Sequence, residues 1–596
     1  MASKKVCRGF ISMISSNNDP INSTKVLLKI ISKLKVNVEN ELRKNSSIAT
    51  DKNDSKKSAS NYQEIQKSIL TNIDILQKNP ENPNALFLLG LALHSKNENI
   101  KAAALLSRAV SLKLENEEVY STLGSIYKSL GNLEEANNYE KKAIAFNPDY
   151  IDGYYNIGCN LLSLGKNNDA IKKFRKTISL NPNHYMAHNN LGVAMHNIKL
   201  FQEAMESFNN SLSIKPDYPA PYLSMGNTLR EMNQTDAAAT SFQKAIALDF
   251  EFFEAHNNLA NALMDLGLYE GALVSYNNAK KIKPENTGVR KNIGMINLLL
   301  GNFEIGWSEY SSRQFEDDLG IASQDYSQPK WNGENLNSKT IFVCTEQGLG
   351  DTIQFIRYLD LLKAQCKQII LNAPSPLVPV LEDLNSIDVL LTNDAITPDF
   401  DYHISLMELP RLFSTTLDTI PMPSAYLAAK KNLVKIWEKR LGPRKEFRIG
   451  LVWAGSATHQ NDHNRSIDPD LLKPLTELSG ISVYSLLVGR KGEATAVFGK
   501  NIYDFTGCLT NFAETAAAIE NMDLVISVDT SVAHLAGALG KPVWVLLPFN
   551  PDWRWLLKRT DSPWYSSMKL FRQTKRQDWK GVIEQVIGEL TIKTLS

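Results

Sequence analysis

Between residue 80 and about residue 315 the apolar positions fall in short helical runs, each closed by a polar break, and the pattern returns at a fixed interval. A glycine follows the first run of each unit at Gly90, Gly124, Gly158, Gly192, Gly226 and Gly294, with Ala260 in the remaining place, so the step is 34 residues. Twelve residues further on stand Ala102, Ala136, Ala170, Ala204, Ala238 and Ala272, then Gly306. A third column reads Pro80, Pro148, Pro182, Pro216 and Pro284, with Leu114 and Phe250 as exceptions. A small residue on each of two helices lets their backbones approach, and proline ends the unit. The pattern predicts helix hairpins that bury their faces only by stacking, with a cap helix at about 61–78 bringing this region to 61–315.

The period stops after Arg313. Residues 316–339 read as a linker, and from Thr340 strands alternate with helices. TIFVCT is a predicted strand, EQGLG a glycine-rich turn, DTIQFIRYLDLLKAQ a helix and QIILNA a strand, a β-α-β unit of parallel-sheet type. Short apolar runs follow at Asp388–Leu391 and Tyr402–Leu406. A second set comprises RIGLVWAG, SVYSLLVG, DLVISVDT, the helix SVAHLAGALG and the strand PVWVLLP. The expected fold class is therefore α + α/β: an all-α superhelix, then two α/β lobes at 340–430 and 445–590 with a cleft at the carboxyl ends of their strands.

Composition narrows the classes. The 596 residues carry 65 Lys and Arg against 64 Asp and Glu, a formal charge of +1 that lacks the footprint of a dedicated nucleic-acid binder. No apolar stretch approaches the ~18–20 residues that span a bilayer, and the first residues lack the apolar core of a signal peptide, so the expected compartment is the cytoplasm. The five cysteines are scattered without a CxxC, which points to neither a disulfide framework nor a thiolate zinc site. Residues 1–60 hold twelve basic and five acidic residues and read as a basic extension and flexible linker. Within it Lys25, Lys29 and Lys33 share one helical face and Leu27, Ile31, Leu34 and Val38 another. Such a helix, over about 24–44, suits an anionic membrane surface or, the favoured alternative, packs on the repeats.

The repeats, as in NIGCNLLSLGKNNDAIKKFRKTISLNPN, resemble the tetratricopeptide repeat (TPR) family, which implies a superhelix whose concave surface binds a peptide or protein. Two residues before the repeat glycine stand Asn156, Asn190, Asn258 and Asn292. A row of amides can bond an extended peptide backbone, similar to the asparagine ladder of protein O-GlcNAc transferase; the alternative is that each Asn bridges adjacent helices. The C-terminal segments EQGLGDTIQFIRY, GLVWAGSATHQNDHNRS, DLVISVDTSVAHLAGALGKPVWVLLP and DWRW…SPWY resemble glycosyltransferase family 9, heptosyltransferase-like enzymes of GT-B fold, and especially proteins that fuse TPR repeats to such a domain.

That resemblance implies a glycosyltransferase of hexosyl- or heptosyltransferase type, without cofactor or metal, inverting, taking a sugar from a nucleotide sugar to a protein or large glycan acceptor recruited by the repeats. It makes Asp351, after Gly348 and Gly350, the general base; the alternative is that Asp351 caps its helix. Asp529, Thr530 and Ser531, at a strand-to-helix turn, suit a diphosphate, with His534 one turn on. Gly455, Ser456 and Arg465 complete the phosphate site, Arg465 standing where the family has a lysine. Asp399-Phe400-Asp401 spells a DxD but reads as surface. His459 and His463 lack a third ligand, and the Trp553–Tyr565 aromatics serve either stacking or core. The rival reading is a catalytically inactive scaffold with a GT-B nucleotide-binding or docking module, since the first lobe spans only about 100 residues.

Overall fold

A computed structural model describes residues 20–46, 55–315, 326–392, 397–456, 461–489 and 492–595. It divides into two compact units, residues 1–250 and 251–596.

The first unit is helical. Two helices, Pro20–Ser46 and Ser55–Lys78, precede five hairpins whose first and last helices are Pro83–Ser95 and Thr235–Leu248. The cap helix starts at Ser55, earlier than the sequence predicted, because the expected linker contains neither glycine nor proline while its Lys and Ala residues favour helix. Leu27, Ile31, Leu34 and Val38 are buried in one apolar cluster with Ile69, Ile73 and Leu76. The apolar face is therefore occupied by protein, and membrane contact through it is corrected to packing. Lys25, Lys29 and Lys33 remain exposed.

Each repeat glycine is the floor of a packing contact. A Cβ added at Gly158, Gly192 or Gly226 would lie within 2.6 Å of the ring of Phe174, Phe208 or Phe242. These aromatic residues form a further column, 34 apart and fully buried. In the second repeat the same place holds Glu140, whose side chain lies over Gly124. The turn between the two helices of each repeat passes through the left-handed region once, at Asn97, Gly131, Gly165, Lys199, Asn233, Gly267 and Gly301.

The second unit begins with the last two repeats, whose helices are Phe253–Asp265, Tyr269–Ile282, Thr287–Leu299 and Phe303–Tyr310. The expected single repeat domain thus divides at Phe250. The reason is aromatic: Trp307 meets Trp553 and Trp564 at ring separations of 5.3 and 6.4 Å, and its indole N–H donates to the Thr415 carbonyl at 3.0 Å. The described part of the expected linker also belongs to this unit, since Trp331 and Leu336 are buried and the Trp331 amide donates to the His403 carbonyl at 2.9 Å.

The first lobe is a four-stranded parallel sheet of β1 (Thr340–Cys344), β2 (Gln368–Asn372), β3 (Val389–Leu391) and β4 (Tyr402–Ser405), in the order β3-β2-β1-β4. The second holds β5 (Phe447–Val452), β6 (Ile481–Ser485), β7 (Tyr503–Asp504), β8 (Leu524–Val528), β9 (Val543–Leu547) and β10 (Met568–Arg572), ordered β10-β9-β8-β5-β6-β7 and parallel throughout. β8 and β9 are buried at every residue, as strands covered on both faces must be, which is why they read as unbroken apolar runs. The strand order reverses between β5 and β8, and ligands of such sheets bind at that switch. The predicted helix from Asp351 is broken: Leu349–Phe355 gives way to a tighter turn at Ile356–Tyr358, where buried Arg357 donates through Nε to the Gln354 carbonyl at 2.7 Å.

Candidate functional site

Three loops meet at the carboxyl ends of β1, β5 and β8. The β1 loop is anchored by a buried ion cluster: Arg313, at the end of the last repeat, donates from Nη2 to Glu346 Oε1 at 2.6 Å, and its Nη1 lies 2.9 Å from Glu408 Oε1. Beyond Glu346 the chain reaches Gly348, whose amide donates to Asp351 Oδ2 at 2.8 Å. Asp351 does cap its helix, and its other oxygen is paired with Arg554. Gly350 is required by proximity, since a Cβ there would lie 2.9 Å from His534 Cδ2.

At the switch, Asp529, Thr530 and Ser531 follow β8 and open the helix Ser531–Ala538. Arg465 reaches in from the short helix Asp462–Arg465; its Nη1 donates to the Asp529 carbonyl at 3.0 Å and its Nε to Asp462 Oδ1 at 3.2 Å. Gly455 leaves room for this guanidinium, which a Cβ would strike, and donates its own amide to Ser466 Oγ at 3.2 Å. His534 is buried, stacked on Trp555, with Nδ1 2.9 Å from the Tyr565 hydroxyl. Burial, reinforced by Arg554 and Arg357, holds its pKa well below the usual histidine range, so the ring is neutral. Asp529 moves the other way: burial, then the Asp552 carboxylate, push it up to about 6.

These groups line one cavity of about 350 Å³. Of the sequence candidates it brings together Gly350, Asp351, Arg465, Asp529, Thr530, Ser531 and His534, while Gly348, Gly455 and Ser456 are not among the described lining residues. Sequence reasoning set Arg554 only among its aromatic neighbours, for stacking or core; it is buried and holds Asp351 on Nη2 and Asp552 on Nη1, the latter at 2.8 Å. A guanidinium set between two tryptophans was the available signal. It also missed a wall supplied by the last two repeats, including Met264, Tyr269, Met295 and Leu299. One tie is Asn550, which accepts from the Tyr269 hydroxyl at 2.9 Å and donates to the Asp265 carbonyl at 2.8 Å.

Comparison with known families gives the two halves separate relatives. Models described as TPR or tetratricopeptide repeats match residues 117–150, 155–219, 226–267 and 253–286. The chain carries tetratricopeptide repeats. A model described as glycosyltransferase family 9 (heptosyltransferase) matches residues 501–547, the stretch that holds β8, Asp529–Ser531 and β9. Protein FlbA of Caulobacter vibrioides is 26% identical over 326 residues, which cover 50% of this chain and 53% of FlbA, so the chain spans about half the length of that curated relative. Similar solved structures include a thermophilic TPR protein of Thermus thermophilus, at 21% identity, covering 30% of this chain and 99% of that one, TM-score 0.28. PilF of Pseudomonas aeruginosa is 17% identical, covering 33% of this chain and 90% of that one, TM-score 0.31.

Within the tetratricopeptide repeats the asparagine column is half-buried and bonded within the array. Asn156 Nδ2 donates to Glu140 Oε1 at 3.0 Å, Asn190 Nδ2 to the Tyr155 hydroxyl at 3.1 Å and Asn292 Nδ2 to the Tyr276 hydroxyl at 3.1 Å, while Asn258 accepts from Asn257 at 3.1 Å. Each of the first three amides thus gives an N–H to a neighbouring helix, as in the bridging alternative, and remains half-buried. Asp401 is likewise structural: it accepts from the Thr340 amide at 2.8 Å and Lys339 at 3.0 Å at the start of β1. His459 lies outside the described residues, and among the described residues no three His, Cys, Asp or Glu side chains are grouped to hold a metal. Trp555, Trp564 and Tyr565 are buried as core, and no described helix is long and apolar enough to cross a membrane.

Proposed function

We propose that the chain is a glycosyltransferase that moves a sugar from a nucleotide sugar to an acceptor recruited by its repeats, with inversion and without a metal. The observation that carries this reading is the cavity, which sets Asp351 of the first lobe in one space with Arg465, Thr530 and Ser531 of the second. The donor diphosphate sits at the opening of the helix Ser531–Ala538, where first-turn amides, the helix dipole and the Ser531 hydroxyl serve it, Thr530 Oγ1 lying 3.0 Å from Ser527 Oγ, and Arg465 offsets the charge that grows on the leaving group. Asp351, oriented by Arg554, takes the proton of the acceptor hydroxyl. The acceptor oxygen attacks the anomeric carbon from the face opposite the diphosphate; its bond to carbon forms as the carbon–phosphate-oxygen bond breaks.

A panel of nucleotide sugars tests this by release of nucleoside diphosphate from the full chain. Asp351→Asn is expected to lower turnover by about 10²–10⁴-fold while nucleotide binding survives. Unchanged turnover in that variant overturns the base assignment. One observation favours a second reading, a nucleotide-binding scaffold without catalysis: both Asp351 oxygens are already engaged, by Gly348 and Arg554. Under that reading nucleotides raise the melting temperature and nothing is turned over.

A further inference from the structure

The cavity poses a charge problem for the ligand just assigned to it. Its described lining holds four carboxylates, Asp265, Asp351, Asp529 and Asp552, against two guanidinium groups, Arg465 and Arg554. Arg554 is divided between Asp351 and Asp552, and Arg465 already serves Asp462. A diphosphate brings further negative charge to the least suitable of the four. Asp529 directly precedes the phosphate-facing Thr530 and Ser531, and its side chain is mostly buried. Around it stand Asp552 and Arg554 from the loop beyond β9, Arg465 from the β5 loop, and His534 from its own following helix, with Nε2 3.8 Å from Asp529 Oδ1. The histidine is neutral and supplies no countercharge.

Resting on the glycosyltransferase reading, we propose that Asp529 meets the diphosphate as a neutral acid, donating its carboxyl hydrogen to a phosphate oxygen, so that binding takes up one proton from solvent. Protonation removes one repelling charge and replaces an acceptor facing acceptors with a donor. The carboxyl is prepared for this, since burial and Asp552 already bring it up to about 6, and the arriving phosphates push in the same direction. The free site is therefore ionised near neutral pH and the occupied site is not.

Linkage makes this measurable. Affinity falls as pH rises above the value of the free carboxyl, by up to tenfold per pH unit while one whole proton is taken up. The experiment is titration calorimetry of the full chain with UDP-glucose, GDP-mannose and ADP-glucose, whose diphosphates have no terminal group titrating near neutrality. Each is run in Tris and in Hepes at pH 7.5, and again across pH 6.5–8.5. Uptake of close to one proton is expected, with Kd rising toward tenfold per unit. Asp529→Asn, which supplies an amide N–H in place of the acid, is expected to bind without uptake and with a flat pH profile. Binding by the native chain with no uptake, or equal uptake in Asp529→Asn, overturns the inference and leaves the glycosyltransferase reading standing. No binding heat from any of the three, nor from UDP, GDP or ADP, overturns both.

Discussion

The interior of the repeats and the interior of the cleft hide polar groups by opposite means. In the repeats of the first unit the buried contact is one of shape, a side chain on a glycine and in three repeats an aromatic ring, and among the described residues a buried acid enters once, at Glu140. That carboxyl accepts from Ser121 at 3.2 Å and Asn156 at 3.0 Å, forms no ion pair among the described residues, and keeps a buried oxygen without a partner. In the cleft, Asp351 and Asp552 share Arg554, and Glu346 and Glu408 share Arg313. At Glu408 cations outweigh burial; Glu140, given only hydroxyl and amide donors, has its proton held on. Accordingly burial pushes Glu140 up to about 8, whereas Arg313 and its neighbours hold Glu408 below the usual carboxylate range despite burial.

The strongest way to break this comparison is to remove the cleft's cation. Arg554→Met leaves two carboxylates facing each other without compensation, and the second unit is expected to lose about 3–5 kcal/mol in denaturant unfolding. A loss below about 1 kcal/mol would mean that Arg554 is not what holds them.

A smaller effect sharpens the other side. Since Glu140 binds its proton more tightly folded than unfolded, its contribution is whole below about pH 4.5, declines as pH rises, and levels off above about 8. Glu140→Gln removes that slope. The variant is expected to unfold like the native chain at pH 4 and to be more stable by about 3–4 kcal/mol at pH 8.5, at up to about 1.4 kcal/mol per pH unit over the interval. Parallel curves at both pH values would show that the carboxyl is not shielded.

How much of this could be read from the chain depends on the range of the interaction. The repeat period, the strands and the loops carrying Asp351, Arg465 and Asp529–Ser531 are local patterns, and each appears where its residues placed it. The 34-residue aromatic column was equally local, and the glycine and alanine columns drew attention from it. Arg554 was different: its partners Asp351 and Gln354 lie about 200 residues away, so only the fold shows that it is the cleft's central cation. The repeat wall of the cavity is held in the same way by partners distant in sequence, Asn550 on Tyr269 and Asp265 and Trp307 on Trp553. The bridging bonds of the asparagine column are likewise visible only in the fold, since their tyrosine and glutamate partners stand on neighbouring helices.

The seven inter-helix turns share one left-handed residue, and this uniformity shows where the sequence has stopped short of its own optimum. Four turns use glycine; Asn97 and Asn233 are the next best tolerated, and Lys199, at φ 64°, is the one with a long side chain. Such a position is a reserve of thermal tolerance. Lys199→Gly relieves the Cβ crowding at some cost in unfolded-chain entropy, and a gain of up to about 1 kcal/mol is expected in the melting of the first unit. A chain rebuilt with glycine at all seven turns would outlast the natural array on heating without altering a single residue of its interior.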